Sequence, residues 1–198
     1  MYTKFVTPAL LAAALFTTTQ ARAADYVIDA GHSSVSFTVR HMMSKVHGNF
    51  RKFTGEFSYD AKDLKKASGK VEVDAASIDT NVEKRDNHLR SADFFDVEKF
   101  KTLSFVIKSV ESAGSGLKIK GDLTIHGVTK PVTFEAVALG ESKDPWGNKT
   151  TSFSASTKVN RKDFGLNWNK ALEAGGFLVG DEVEIEIDVE ANPKPAAK

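Results

Sequence analysis

The chain reads as an all-β protein of eight antiparallel strands, closed into an up-and-down barrel or folded into a sandwich. Three observations predict this. Apolar and polar residues alternate strictly along several segments, the pattern of a half-buried strand. Short stretches with turn chemistry separate these segments. The length, 198 residues with no cysteine, is enough to bury a core without disulfides or thiolate-bound metal.

Taken in order, the first segment sets Val35, Phe37 and Val39 against Ser34, Ser36, Thr38 and Arg40. Residues 49–59 (NFRKFTGEFSY) are less regular but strand-like. Val71 and Val73 then alternate with Lys70, Glu72 and Asp74. Residues 102–111 (TLSFVIKSVE) form the fourth segment. In the fifth, Leu117, Ile119, Leu123 and Ile125 alternate with Lys118, Lys120, Asp122 and Thr124. Residues 131–140 (PVTFEAVALG) are the sixth. Phe153, Ala155, Thr157 and Val159 mark the seventh, and Val183, Ile185, Ile187 and Val189 the eighth, between acidic neighbours. The connectors at residues 60–63, 113–116, 126–127 and 144–148 have turn composition. Two connectors are longer. Residues 82–92 predict a short polar helix. Residues 160–180 predict a helical turn followed by a break at Gly175-Gly176. No linker or repeat divides the chain, so residues 24–191 form one domain and residues 192–198 a flexible tail.

Residues 1–23 read as a secretory signal peptide. Lys4 gives the positive start, residues 8–16 (PALLAAALF) the apolar stretch, and Ala21-Arg22-Ala23 an A-x-A cleavage site between Ala23 and Ala24. The apolar run is far short of the ~20 residues that span a bilayer. Cleavage removes two basic residues, Lys4 and Arg22, and no acidic one, so the formal charge falls from +1 to −1. The expectation is an exported, periplasmic, soluble protein with no stable membrane anchor.

Composition excludes several function classes. With 27 basic against 26 acidic residues, the chain lacks the concentrated basic surface that nucleic acid requires. The five histidines, His32, His41, His47, His88 and His126, show no metal-ligand spacing. No nucleophile motif and no phosphate-cradling glycine loop is present. No cofactor, metal or catalytic residue is expected. A homodimer remains compatible with the sequence.

The inner faces of the strands are almost wholly apolar. A barrel of about eight strands is either plugged by its own side chains or holds one small ligand, and the residues alone leave both open. If a channel exists, the alternation assigns its lining to Phe37, Val39, Phe105, Ile107, Ile119, Leu123, Phe134, Ala136, Phe153, Ala155, Ile185 and Ile187. Residues 40–53 are basic and amphiphilic. Met42, Met43, Phe50 and Phe53 form either a ligand portal or an ordinary strand connection that caps the barrel end. Phe94, Phe95, Phe100, Phe164, Trp168 and Phe177 lie on the long connectors. Each either lines a channel mouth or plugs a barrel end.

Four motifs together resemble the YceI-like, polyisoprenoid-binding periplasmic proteins. They are the run His32-Ser33-Ser34-Val35-Ser36-Phe37-Thr38-Val39-Arg40-His41; Arg85-Asp86-Asn87-His88-Leu89-Arg90-Ser91 with Asp93-Phe94-Phe95-Asp96; Leu123-Thr124-Ile125-His126-Gly127-Val128-Thr129-Lys130-Pro131-Val132; and Asn160-Arg161-Lys162-Asp163-Phe164-Gly165. They occur in the family's order across roughly residues 25–190. The resemblance implies an extended, eight-stranded antiparallel, lipocalin-like barrel with one or two short helices. It also implies a long isoprenoid or similar lipid threaded along the interior of a periplasmic carrier. Two other readings stay open: an enzyme acting on a lipid head group at the barrel mouth, and a plugged barrel that binds through its outer surface.

The signal peptide gives the first prediction. The product isolated from a native host begins at Ala24 or an adjacent residue, as read by intact mass. A full-length cytoplasmic product contradicts this reading.

Overall fold

The structure, a computed structural model, describes residues 24–143, 145, 147–173 and 175–195. The signal segment, Ala23 included, lies outside the described residues, as do residues 196–198. Ala24 opens the first strand.

Eleven strands make one antiparallel sheet. They are β1 (Ala24–Ile28), β2 (Ser34–His41), β3 (Ser44–Phe50), β4 (Phe53–Tyr59), β5 (Ser68–Asp74), β6 (Ile78–Asp79), β7 (Thr102–Ala113), β8 (Gly116–Ile125), β9 (Val128–Lys143), β10 (Lys149–Asn160) and β11 (Val179–Pro193). The sheet closes because β11 has neighbours on both sides. Along one edge it pairs with β10. Along the other it pairs first with β2, Val183 opposite Val39, and then with β1, Ile28 opposite Ala191. β1 and β2 therefore act as one broken stave. β3 with β4, and β5 with β6, do the same. Eight staves result, in chain order around a closed barrel.

Each of the eight alternating segments falls within a stave. What alternation does not show is the corner that breaks the first three. At residues 29–33 the chain leaves the ladder: Asp29 Oδ1 accepts from the Gly31 N–H at 2.9 Å, and the Ser33 hydroxyl donates to the Glu190 carbonyl at 3.2 Å. At Arg51-Lys52, the Arg51 N–H donates to the Ser77 carbonyl at 3.0 Å and the Lys52 N–H to Ser77 Oγ at 3.1 Å. Ser77 itself ends the 3₁₀ turn Ala75–Ser77 that separates β5 from β6. The three interruptions adjoin, so the wall bends there while these hydrogen bonds replace part of the broken ladder. The expected tail also starts later than the sequence indicates. Asn192 and Pro193 pair with Val27 and Tyr26, and the Lys194 N–H donates to the Asp25 carbonyl at 2.7 Å.

One α-helix, α1 (Glu83–Arg90), forms within the expected helical stretch. Glu83 and Asp86 occupy its first turn and Arg90 its last, which suits the helix dipole. A 3₁₀ helix, Arg161–Phe164, supplies the expected turn of the last long connector. Gly165 ends it at φ 80°, a left-handed conformation that suits glycine.

Interior glycines decide where large rings fit. Gly48 stands directly opposite Phe37, and a Cβ there would lie 2.6 Å from Phe37 Cε1. Gly69 stands opposite Phe57 in the same way, with 2.6 Å to its Cβ. The missing side chains leave room for the neighbouring rings to lie across the sheet. Gly48→Ala is therefore expected to cost about 1–3 kcal/mol by overpacking, measured as a lower urea midpoint with an unchanged m-value. An unchanged midpoint contradicts this packing.

Candidate functional site: an apolar cavity closed at one end

The barrel interior divides into two halves. The end where the chain enters is filled with rings. Tyr26 stacks on Phe57 at 5.3 Å between centroids, and Phe153 meets Phe57 at 5.6 Å and Tyr59 at 5.0 Å, both edge to face. Burial raises the pKa of both tyrosines, with nearby carboxylates acting in the same direction. The other half holds a cavity of about 580 Å³, open at the end carrying the β2–β3 hairpin, α1 and residues 177–179. Most of its wall is Val, Ile, Leu and Phe. Its polar lining groups are Ser36, His41, Lys84, Arg85, His88, Ser104 and Arg161. No carboxylate is among the described lining residues, so the cavity has no carboxylate pair for acid–base chemistry.

A row of valines crosses four adjacent strands near the mouth. Val159 stands opposite Val183, Val183 opposite Val39, and Val39 opposite Val46. All four line the cavity. β-Branched side chains have few rotamers, so this wall is preformed. Deeper in, Phe105 and Phe134 meet at 5.0 Å. Below them the next cross-strand row carries Ala136, Ala155 and Ile187.

Two connectors shape the mouth. In α1 the motif residues bind backbone and neighbours. Buried Asp86 accepts from the Thr80 N–H at 2.9 Å and from the Thr80 hydroxyl at 2.5 Å. Arg85 donates to Thr80 Oγ1 at 2.7 Å and to its carbonyl at 2.9 Å. Arg90 donates to the carbonyls of Ala76 and Ile78 at 2.8 and 2.6 Å. The helix is thus pinned to the end of the third stave, with His88 and Leu89 on the cavity. His88 is held by Asp93 at 2.8 Å, and its ring lies 4.8 Å from Trp168 and 5.1 Å from Phe94.

The second connector depends on Arg161, which is only 3 % exposed. Its guanidinium donates to the carbonyls of Leu166, Trp168 (2.9 Å) and Gly180 (2.9 Å), and to Asp181 at 3.3 Å. Burial lowers its pKa and Asp181 opposes that. Arginine stays charged in proteins, so this is a buried cation satisfied largely by backbone dipoles. It fixes Trp168 against α1.

Ten of the residues assigned to the channel from sequence line this cavity. Phe37, Val39, Phe105, Leu123, Phe134, Ile185 and Ile187 do so from strands that form the wall. Phe50, expected at a portal, does so from β3, while Phe164 and Trp168 do so from the connector. The other eight lie elsewhere. Phe153 belongs to the aromatic plug. Ile107, Ile119, Ala136 and Ala155 sit on the staves but off the cavity surface, Ile119 opposite Phe134 and Ala155 opposite Ile187, and Phe53 packs in the buried core. Met42 and Met43 project from the hairpin tip, 51 % and 96 % exposed. Alternation assigns a face, but not a height along the barrel, which is why Phe153 falls among the plug rings. Sequence reasoning also missed Arg161 and His88 as parts of the mouth. An Arg between an N-cap Asn and a glycine-ended turn carried no signal that it was buried. Of the other connector rings, Phe94 and Phe95 line the cavity, Phe100 packs on His126 at 4.4 Å, and Phe177 is exposed.

Among the described residues, His32, Asp29 and Glu190 are the three whose ligand atoms cluster within 4.8 Å. They lie at the corner, outside the cavity. The His32–Asp29 hydrogen bond raises the pKa of His32 and lowers that of Asp29. No described helix is long and apolar enough to cross a membrane.

A closed eight-staved antiparallel barrel with a deep apolar cavity defines the class, and comparisons define the family. Residues 26–191 match the family model of the YceI-like domain, and the chain belongs to that family. A UPF0312 protein of Vibrio cholerae is 42 % identical over 188 residues, covering 93 % of this chain and 95 % of the relative. The crystal structure of the Campylobacter jejuni YceI protein is 30 % identical, with a TM-score of 0.68 over 78 % of this chain and 89 % of that one. A polyisoprenoid-binding domain from Saccharophagus degradans shares the fold at 13 % identity, with a TM-score of 0.60 over 87 % of this chain and 100 % of that one.

Arg161 gives the prediction for this site. Arg161→Ala leaves three backbone carbonyls, one on buried Leu166, without their donor. The expected loss is about 3 kcal/mol of stability, measured by urea denaturation. A loss under about 0.5 kcal/mol, the range of ordinary surface substitutions, contradicts the mouth as described.

Proposed function

We propose that this protein is a periplasmic binding and carrier protein for a polyisoprenoid, an isoprenoid quinone or a similar long-chain amphiphile. The observation that carries the proposal is the cavity: about 580 Å³, with a wall made mostly of Val, Ile, Leu and Phe. That volume lies within the roughly 300–1,000 Å³ typical of small-ligand sites. Each methylene moved into such a site gains about 0.8 kcal/mol, so a tail binds well with few polar contacts. The head group is left at the mouth beside His41, Lys84 and Arg85, where it can meet water. The plug of Tyr26, Phe57, Tyr59 and Phe153 limits how far the tail reaches. A tail of this kind does not cross an aqueous compartment alone, and the signal-peptide pattern of residues 1–23 supports export of the protein into one. Membership of the YceI-like family and the polyisoprenoid-binding relative support the same reading.

Val183→Trp tests the proposal, because it obstructs the valine row where the cavity has room. Native mass spectrometry of wild-type protein from the periplasm is expected to show a stoichiometric lipid. The variant is expected to lose it while retaining the melting temperature of delipidated wild type, the proper reference because a bound ligand itself stabilises. A wild type without lipid, or a variant that carries lipid as wild type does, contradicts the proposal. Trp at Ala155 or Ala136 is the weaker probe, since neither is on the cavity surface.

A further inference from the structure

The mouth has an outer surface that the cavity does not explain. The hairpin joining β2 and β3 turns at Met42, at φ 52°, and projects Met43, which is 96 % exposed. The Met42 N–H donates to the Leu178 carbonyl at 2.9 Å, so the tip adjoins Phe177, itself 62 % exposed. Val82, 47 % exposed, completes this apolar rim from the start of α1. A cluster of large apolar side chains this exposed marks an interaction surface.

The tip is also flanked by charged side chains. On the wall, Lys70 pairs with Glu72, Lys118 with Glu135, Lys120 with Glu111 and Lys158 with Glu182, while Lys130 has no ion pair among the described residues. On the hairpin, Arg40 and Lys45 stand directly opposite each other and both are exposed. Like charges in register destabilise a sheet. Neither has an ion-pair partner among the described residues, nor do Lys84 and Lys170 on the flanking connectors. The carboxylates of this end include Asp181, which is taken by Arg161 and Lys162, and Glu83 and Glu173, one on each connector. Four cations, Arg40, Lys45, Lys84 and Lys170, thus flank the apolar tip without an ion pair among the described residues.

We propose that this rim docks the barrel mouth onto an anionic lipid bilayer, with Met43, Met42 and Phe177 entering the interface and Arg40, Lys45 and Lys84 meeting anionic head groups. Apolar side chains flanked by cations are the two components of reversible interfacial binding. The cavity opens in the middle of the rim, so a docked barrel faces the membrane with its open end. A tail then passes between bilayer and cavity without crossing water. The purpose of docking rests on the carrier reading, but docking itself does not require a ligand.

The experiment is cosedimentation of the mature protein with vesicles of phosphatidylcholine alone and of phosphatidylcholine with 30–40 % phosphatidylglycerol (about a third anionic lipid, to give a clear negative surface potential). Wild type is expected to bind the anionic vesicles, more weakly as salt rises, and to bind neutral vesicles poorly. Each cation near an anionic surface contributes about five-fold to binding, so Arg40→Gln with Lys45→Gln is expected to weaken it by about 30-fold. Met43→Asp is expected to abolish it. Both sites are exposed, so both variants should keep the wild-type melting temperature and the lipid seen by native mass spectrometry. Wild type that carries lipid but ignores anionic vesicles overturns docking and leaves the carrier reading standing. Wild type that carries no lipid but docks, with loss in both variants, does the reverse. Folded variants that bind vesicles as wild type does also overturn the proposal.

Discussion

The closure of β11 on two separate partners is the constraint from which the rest of the structure follows. Pairing with β10 on one edge and with β2 then β1 on the other turns an open meander into a barrel. Closure removes most of the free strand edge that could pair with other chains. It also leaves a fixed interior that something must fill. The first three staves break at one shared corner, which lets the wall bend while the sheet stays continuous.

How that interior is filled is what distinguishes this molecule from a solid core. Rings occupy the end near the chain's start. Glycines opposite Phe37 and Phe57 let large side chains lie across neighbouring strands. Nearer the mouth the corresponding positions carry valines, which are too short to meet across the barrel. The empty half is therefore a consequence of side-chain size at particular cross-strand rows. The mouth is held by polar chemistry instead. Buried Arg161 and Asp86 bind backbone and hydroxyl groups, and they position Trp168 and α1 at the rim. A preformed site of this kind avoids the entropy of ordering its wall when a ligand enters.

Much of the architecture was legible because strand alternation is a local signal. Residues 183–189 or 117–125 need only their own sequence to declare which side chains share a face. Phe37, Leu123 and Ile185 were assigned to the cavity for that reason. Height along the barrel is not local. Phe153 and Phe134 have the same inward-facing pattern, yet one is plug and the other cavity wall, because register with β9, β11 and β4 decides. The corner at residues 29–33 was invisible for a related reason: it depends on Ser33 and Asp29 meeting Glu190, which is over 150 residues away in the chain. Met42 and Met43 were legible as adaptable apolar residues near an opening. Only the hairpin geometry shows that they point outward. The family motifs were recognisable as strings, and the structure gives part of their physical reason. Arg85, Asp86 and Arg90 pin a helix, and Arg161 staples a connector.

The central claim is that the cavity is empty protein space shaped for an apolar chain. A crystal structure of the mature protein purified from its native compartment tests this most directly. The account predicts continuous elongated density from the aromatic plug, past the valine row of Val159, Val183, Val39 and Val46, to the mouth beside Trp168. It predicts that the valine row lines this density without closing over it. A cavity closed by inward-collapsed side chains, or filled by a hydrogen-bonded chain of water, would contradict it.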